Sequence, residues 1–306
     1  MSNRITVVGS LNMDLVVTTP KVPAMGETIL GSGFMTAPGG KGANQAVAAA
    51  RLGGNVAMVG CVGDDIFGRD LLENLSKNNV DIGCVTVKQS TSTGIAMIVI
   101  KDGNNCIIVD PAANYTLTPD MMDSLEEIIK DSALLVVQLE IPFETVERAI
   151  LLAKRHKVKV LFNPAPARAL SDELLSMVDI FTPNETECEI ITGISINSIE
   201  DAKRAVEFLN NKGIPQVIIT LGGKGVVYNS TEGILHKTVP DVKVVDTTAA
   251  GDSFSGAIAL ALSQGKTMDE AVDFGNIVGT LTVTKKGAQT SLPSMEDVEN
   301  FLKSNE

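Results

Sequence analysis

The sequence predicts an α/β fold, a mostly parallel central sheet covered by helices, with a small β-sheet lid. Three observations predict it. Short β-branched runs alternate with helical patterns along most of the chain, the signature of βαβ units. Two stretches, "ETILGSGFMTAPGG" and "STGIAMIVIKDGNNCIIVD", break that rhythm and alternate like antiparallel strands around the turn "KDGNN". Polar, Gly-rich segments follow successive strands, at the sheet end where open α/β folds bind ligands.

Taken in order, "RITVVGS" is a short β-branched run ending in Gly9, as expected of a buried strand. "GANQAVAAARLG" is Ala-rich and stops at Gly53-Gly54, a plausible helix C-cap. "NVAMVGCVG" is a second buried strand, followed by a helix through "GRDLLENLSKNN". "ALLVVQLE", "KVKVLFNPA", "DIFTPN" and "QVIITLG" continue as strands, with helical patterns between several of them. The two irregular stretches, separated by a βα block, predict a flap at about residues 12–40 and 92–112, an element able to close over a ligand. Without a repeat, low-complexity tract or long linker, residues 1–306 read as one large α/β domain with that lid.

Composition limits the function. The 306 residues carry a formal net charge of -12 and a pI near 4.7. An acidic surface argues against nucleic-acid or anionic-membrane partners, though a local site can still bind a nucleotide. The four cysteines, Cys61, Cys84, Cys106 and Cys188, form no CxxC pair and read as buried small hydrophobes in a reducing compartment. Two histidines, His156 and His236, both expected at the surface, leave little for a zinc site or a Ser-His-Asp hydrolase. The N-terminus does not read as a signal peptide and no stretch approaches a membrane span, so a cytoplasmic location is expected.

Conventional phosphate-binding signatures fail. The pairs Gly40-Lys41 and Gly223-Lys224 have Met35 and Ile218 where a P-loop needs its leading Gly, and no GxGxxG follows the first strand. A different constellation remains. "DTTAAGDSFSGA" (Asp246 to Ala257) puts a turn of small residues before an apolar helix closed by Gly265. Gly251 is expected at the helix start, where free N–H groups and the dipole favour an anion, and Ala249, Ala250 and Gly251 keep side chains clear. Asp252 in the first turn is either a helix-start acid or the base for a hydroxyl attacking a phosphorus bound there.

Other segments carry the same ambiguity. "GGKGANQ" (Gly39 to Gln45) is a Gly-rich turn before a helix, with Lys41 and Asn44 as donors. "GSLNMD" places Asn12 and Asp14 after strand one, suited to the paired hydroxyls of a neutral polyol, and "VVQLE" ends in Glu140. In "TPNETE" (Thr182 to Glu187), Asn184 could reach a phosphate and Glu187 could hold magnesium through water, or the two could form a helix cap. "ITLGGKG" (Ile219 to Gly225) could back a nucleotide or be a plain hairpin. Their convergence on one face of the sheet favours a site.

Together "GGKGANQAVAAARLGGNVAMVGCVG" and "DTTAAGDSFSGA", with "NPAPAR", "TPNETE", "ITLG" and "KKGAQTS" around them, resemble the ribokinase-like family of carbohydrate kinases over essentially the whole chain. The resemblance implies the three-layer ribokinase-like fold, a β lid that also makes a homodimer interface, and ATP-dependent phosphorylation of a sugar hydroxymethyl group, D-ribose at O5. It implies Asp252 as catalytic base, with Ala249, Ala250 and Gly251 lining the anion hole. Asn12, Asp14, Gly39, Gly40, Lys41, Asn44 and Glu140 would hold the sugar. Asn184, Thr220, Leu221, Gly222, Gly223, Lys224, Gly225 and Asn276 would contact ATP, and Glu187 would organise Mg2+ through water.

The resemblance also implies a monovalent-cation site for K+ at Asp246, Thr248, Thr282, Lys285, Gly287 and Ser291, Lys285 serving only through its carbonyl. The chain departs from the family's pattern at Ala249, where many relatives have Gly, and Asn276 occupies a position that varies, leaving the adenine contact open. Deoxyribose, fructose and nucleoside kinases are rival readings. A non-catalytic nucleotide-binding regulator would need no base, and a nicotinamide-dependent oxidoreductase lacks its dinucleotide fingerprint.

Overall fold

The computed structural model describes residues 3–102 and 104–304. Thirteen strands form two sheets: β1 (Arg4–Val8), β2 (Asn12–Thr18), β3 (Ser32–Gly39), β4 (Asn55–Gly63), β5 (Val80–Lys88), β6 (Gly94–Lys101), β7 (Asn104–Asp110), β8 (Leu134–Val137), β9 (Lys159–Phe162), β10 (Ile180–Phe181), β11 (Gln216–Thr220), β12 (Val226–Ser230) and β13 (Gly233–Lys237). The large sheet has the order β13-β12-β11-β10-β9-β8-β1-β4-β5. It is parallel from β5 to β11, and β12 and β13 add an antiparallel edge.

Strand periodicity divides the core. Ile5, Val7, Leu134 and Val136 pack on one side of the sheet with the helices Lys41–Arg51 and Ala250–Ser263. Val8, Leu135 and Val137, pointing the other way, pack with the helices Phe143–Arg155 and Ile199–Asn211. On the first side the two helices approach closely. A Cβ at Gly256 would lie 2.8 Å from both the Ala48 Cβ and the Gln45 carbonyl, so only glycine permits this spacing.

The small sheet has the order β3-β2-β6-β7. β3, β6 and β7 lie in the two stretches that broke the α/β rhythm, whereas β2 precedes the first of them. The expected antiparallel character holds for β2–β3 and β6–β7, but β2 and β6 pair in parallel, because the βα block between them returns the chain in the same direction. The turn expected at "KDGNN" includes residue 103, outside the described residues. Phe34, Met97 and Ile108 are exposed apolar side chains on one face of this sheet, and Ile107 is exposed on the other.

Three local expectations need correction. Cys61 and Cys188 are buried, whereas Cys84 is half-buried and Cys106 lies exposed on the edge strand β7. His156 is not simply a surface residue, since its Nε2 is 2.6 Å from Glu126 Oε1 in a half-buried pair; His236 is exposed as expected. Among the described residues, no helix is long and apolar enough to cross a membrane.

Candidate active site

Asp252 is buried in the first turn of the helix Ala250–Ser263. The helix begins at Ala250 rather than at the expected Gly251, because Ala249 caps it in the left-handed region with φ +60°. The Ala250 and Ser253 N–H groups reach the carbonyls of Thr247 and Ala249. Among the described residues no protein acceptor meets the Gly251 or Asp252 N–H, and a Cβ at Gly251 would find nothing within 4 Å. This helix end is open, and it borders a cavity of ≈ 200 Å³ lined also by Lys41, Asn184, Glu187 and Thr220.

The close Lys41–Arg51 helix supplies Asp252 with donors. Asn44 Nδ2 donates to Asp252 Oδ2 at 2.9 Å, and Gln45 Nε2 donates to Asp252 Oδ1 at 3.0 Å. Asn44 Oδ1 is buried without a partner among the described residues. Lys41 is half-buried; burial works against its charge, but Asp252, Glu140 and Glu187 together hold the ammonium above its ordinary range. A cation therefore sits between three carboxylates at the mouth of the cavity.

Behind Lys41 lies a polar cluster on β2 and the turn before the helix. Asn12 and Asp14 belong to β2, the first strand of the small sheet, not to the tip of β1 as the sequence suggested. Asp14 is buried, and burial, then Glu140, then Asp252 push its carboxyl up to about 7. Its carboxylate packs on Gly39, where a Cβ would fall 2.5 Å from Oδ1. Gly40 has φ +88°, and a Cβ there would lie 2.7 Å from the Asn12 N. Glu140 Oε2 accepts from Ser10 Oγ at 2.5 Å and from the Lys41 N–H at 3.1 Å. Asn114, on the short turn Ala112–Thr116, donates through Nδ2 to Asn12 Oδ1 at 2.8 Å.

On the opposite side, Asn184 and Glu187 form a reciprocal capping box for the helix Glu185–Thr192. The helix-cap reading of "TPNETE" holds, and the same two residues also line the cavity. Burial pushes the Glu187 carboxyl up, opposed by the Asn184 N–H and Lys41. Asn184 bridges to Thr220 at the end of β11, and β11 runs through a turn at Gly222–Lys224 into antiparallel β12. Leu221, Gly222, Gly223, Lys224 and Gly225 do not line the cavity, and neither does Asn276, which is buried on the helix Met268–Thr282.

Five of the six residues expected around a cation come from two loops that the structure joins, and Thr282 ends the helix Met268–Thr282 between them. Asp246 Oδ1 accepts from the Thr248 N–H at 2.9 Å and its hydroxyl at 2.7 Å, and Oδ2 accepts from the Gly287 N–H at 2.9 Å. Burial opposes ionisation, but these donors hold the Asp246 carboxyl below its ordinary range. Thr282 and Ser291 are fully buried, whereas the Lys285 ammonium points to Asp297 at 3.3 Å. Hydroxyl, carbonyl and carboxylate oxygens suit a hard monovalent cation, and Lys285 can add only its carbonyl.

Sequence reasoning missed several residues at the site. Asn163, Thr182 and Ser255 line the cavity, and Gln45 holds Asp252. Gln45 stood inside "GGKGANQ", yet nothing in a helical Gln beside alanines separates a site amide from a solvated one. Asn163 in "NPAPAR" follows a strand, the one signal that marked it.

The pattern of pfkB family carbohydrate kinases matches residues 2–295. The chain is 43% identical over 304 residues to a ribokinase of Haemophilus influenzae, covering 99% of each, and 38% identical over 304 residues to a deoxyribokinase of Salmonella typhi, again covering 99% of each. The structure of Arabidopsis thaliana ribokinase complexed with ribose and ATP superposes with a TM-score of 0.93 at 33% identity, covering 99% of both chains. The chain belongs to the pfkB family of carbohydrate kinases.

Proposed function

We infer that the chain transfers the γ-phosphoryl group of ATP to the O5 hydroxyl of D-ribose, giving D-ribose 5-phosphate and ADP. Its likeness to ribokinases, one of them bound to ribose and ATP, supports the reaction. The observation that carries it is the pairing of Asp252 with an open helix N-terminus at one cavity. Asp252 takes the O5 proton as O5 bonds to the γ-phosphorus, and the bond from that phosphorus to the β–γ bridging oxygen breaks, its electron pair leaving with ADP. The Gly251 and Asp252 N–H groups and Lys41 balance charge on the phosphoryl oxygens. Ala249 and Ala250 shape the anion hole by leaving room for it.

Asn12, Asp14, Gly39, Gly40, Lys41, Asn44 and Glu140 hold the sugar; the free Asn44 Oδ1 and the Asp14 carboxyl are acceptors for its hydroxyls. Asn184, Thr220 and the turn from Leu221 to Gly225 hold the nucleotide, with Asn276 beneath it. Glu187 would hold Mg2+ through water, and the ion would supply neutralisation of phosphate charge when bound with ATP. Asp246, Thr248, Thr282, Lys285, Gly287 and Ser291 would hold K+, which when bound would order the loop that precedes the anion hole.

Residues 1–306 act as one domain whose small sheet, about 12–40 and 92–112, serves as lid, and its uncovered apolar face pairs with a second copy of the chain in a cytoplasmic homodimer. The 38% identity to a deoxyribokinase makes 2-deoxyribose the second reading. ADP release across ribose, 2-deoxyribose, fructose and adenosine tests both. Highest kcat/KM on ribose is expected; preference for deoxyribose selects the second reading, and no turnover on any of them refutes the kinase assignment of the site.

A further inference from the structure

Three buried amides outside the expected sugar, nucleotide and cation sets join into a chain that ends on Asp252. Asn163 Nδ2 donates to the Thr182 carbonyl at 2.8 Å. Gln45 Nε2 donates to Asn163 Oδ1 at 3.1 Å and to Asp252 Oδ1 at 3.0 Å. Gln138 Nε2 donates to Gln45 Oε1 at 2.7 Å. Gln45 and Gln138 are no more than 1% exposed.

The polarity of this chain is fixed from one end. A backbone carbonyl can only accept, so Asn163 must turn its NH2 to Thr182 and its oxygen to Gln45. Gln45 must then present its NH2 to Asn163, and the second hydrogen of that group falls to Asp252. Its oxygen is left for Gln138, which supplies the matching N–H. Reversing Gln45 would set its oxygen against both Asn163 Oδ1 and the Asp252 carboxylate, an arrangement with no donor.

We propose that Gln45, with its orientation locked by Asn163 and Gln138, is a positioning residue for Asp252. Together with Asn44 it grips the carboxylate by both oxygens, so the carboxylate cannot rotate about its own axis. Each oxygen keeps a further lone pair for the attacking hydroxyl. Gly9 belongs to the same device: a Cβ there would lie 2.0 Å from Gln138 Oε1, so glycine makes the room in which Gln138 stands behind Gln45.

The inference rests on Asp252 acting as base in the proposed reaction. The test is a double-mutant cycle in the full-length protein, Gln45→Met with Asp252→Asn, reading kcat and both KM values below the unfolding temperature of each variant. A positioning role predicts a kcat loss of about 10-fold to 100-fold for Gln45→Met with KM for ATP unchanged. In the Asp252→Asn background the same substitution costs almost nothing further, because the group it positions is gone. An equal loss in both backgrounds means Gln45 only supports the fold and overturns the proposal, as does unchanged kcat. Should Gln45→Met not fold, Gln138→Met, which unlocks the Gln45 amide but leaves it in place, is read by the same criteria. A near-normal rate for Asp252→Asn alone would instead refute the base assignment, so the two failures are distinct.

Discussion

Two helix N-termini meet at this site, built alike and used differently. Each follows a residue with positive φ, Gly40 at +88° and Ala249 at +60°, and neither has a side-chain cap. At the Lys41–Arg51 helix the protein consumes the free donors: Lys41 N–H goes to Glu140, Gly42 N–H to Ser10 Oγ and Ala43 N–H to the Ser10 carbonyl. At the Ala250–Ser263 helix the Gly251 and Asp252 N–H groups face the cavity without a protein acceptor among the described residues. The first end is closed by the protein and fixes side chains; the second is left open, as the proposed anion hole requires. The shared motif of small residues before a helix therefore does not define a phosphate site. What decides is whether acceptors already occupy its N–H groups.

The largest effect expected from breaking the open end is chemical. On the proposed mechanism Asp252→Asn removes the base, and kcat should fall by about 10²- to 10⁴-fold while ATP affinity, read by calorimetry, and the unfolding midpoint stay near the parent values. Alanine at the two glycines separates the two ends. Gly40→Ala puts a methyl 2.7 Å from the Asn12 N at a positive φ and should cost about 2–4 kcal/mol in urea unfolding. Gly251→Ala meets open space, so stability should hold or rise by up to about 1 kcal/mol, the usual gain of Ala over Gly in a helix. Its methyl instead occupies the path of the phosphoryl group, and kcat/KM for ATP should drop about tenfold or more. If both variants lose stability equally, the distinction between closed and open ends is wrong.

Much of this was legible in the sequence, and the exceptions share a cause. Strand and helix periodicity located the parallel sheet, and a break in that periodicity located the small sheet, because burial on one face or both leaves its period in the chain. The glycines of "GGKGAN" gave away close backbone approach. Hidden were facts that depend on pairing across distant segments. The parallel β2–β6 contact cannot be told from an antiparallel one by alternation, which is the same in both. Gln45 and Asn163 carry no local mark of their 3.1 Å hydrogen bond across 118 residues. Cys106 was expected inside on composition, yet β7 is an edge strand whose residues are all exposed.

The closed end also sets a pH dependence. Asp14, pushed up to about 7, is largely protonated in mildly acidic solution. In its proposed role as acceptor for sugar hydroxyls it serves best ionised, so KM for ribose should rise by up to about tenfold for each pH unit below 7. Stability runs the other way. The folded form binds its proton more tightly than the unfolded chain, whose carboxyl titrates near 3.8, so this contribution is full below about 4 and lost as pH rises through about 7. Asp14→Asn should flatten both trends; an unchanged ribose KM profile in that variant would assign the titration elsewhere.

The smallest effects are expected where the cation loops support the open end. Replacing K+ with a tetraalkylammonium ion too large for the loops should slow turnover several-fold at saturating ATP, and equal rates in the two salts would remove the cation from the reading. Lys285 sharpens this further. Its ammonium pairs with Asp297 at 3.3 Å, both side chains substantially exposed, a contact of the kind that contributes little to stability. Only its backbone carbonyl is left for the ion, and Lys285→Ala keeps that carbonyl. Turnover of the variant should therefore stay within about twofold of the parent, with the same response to K+. A loss of K+ response in Lys285→Ala would mean that the side chain, not the carbonyl, shapes the loop between Thr282 and Gly287.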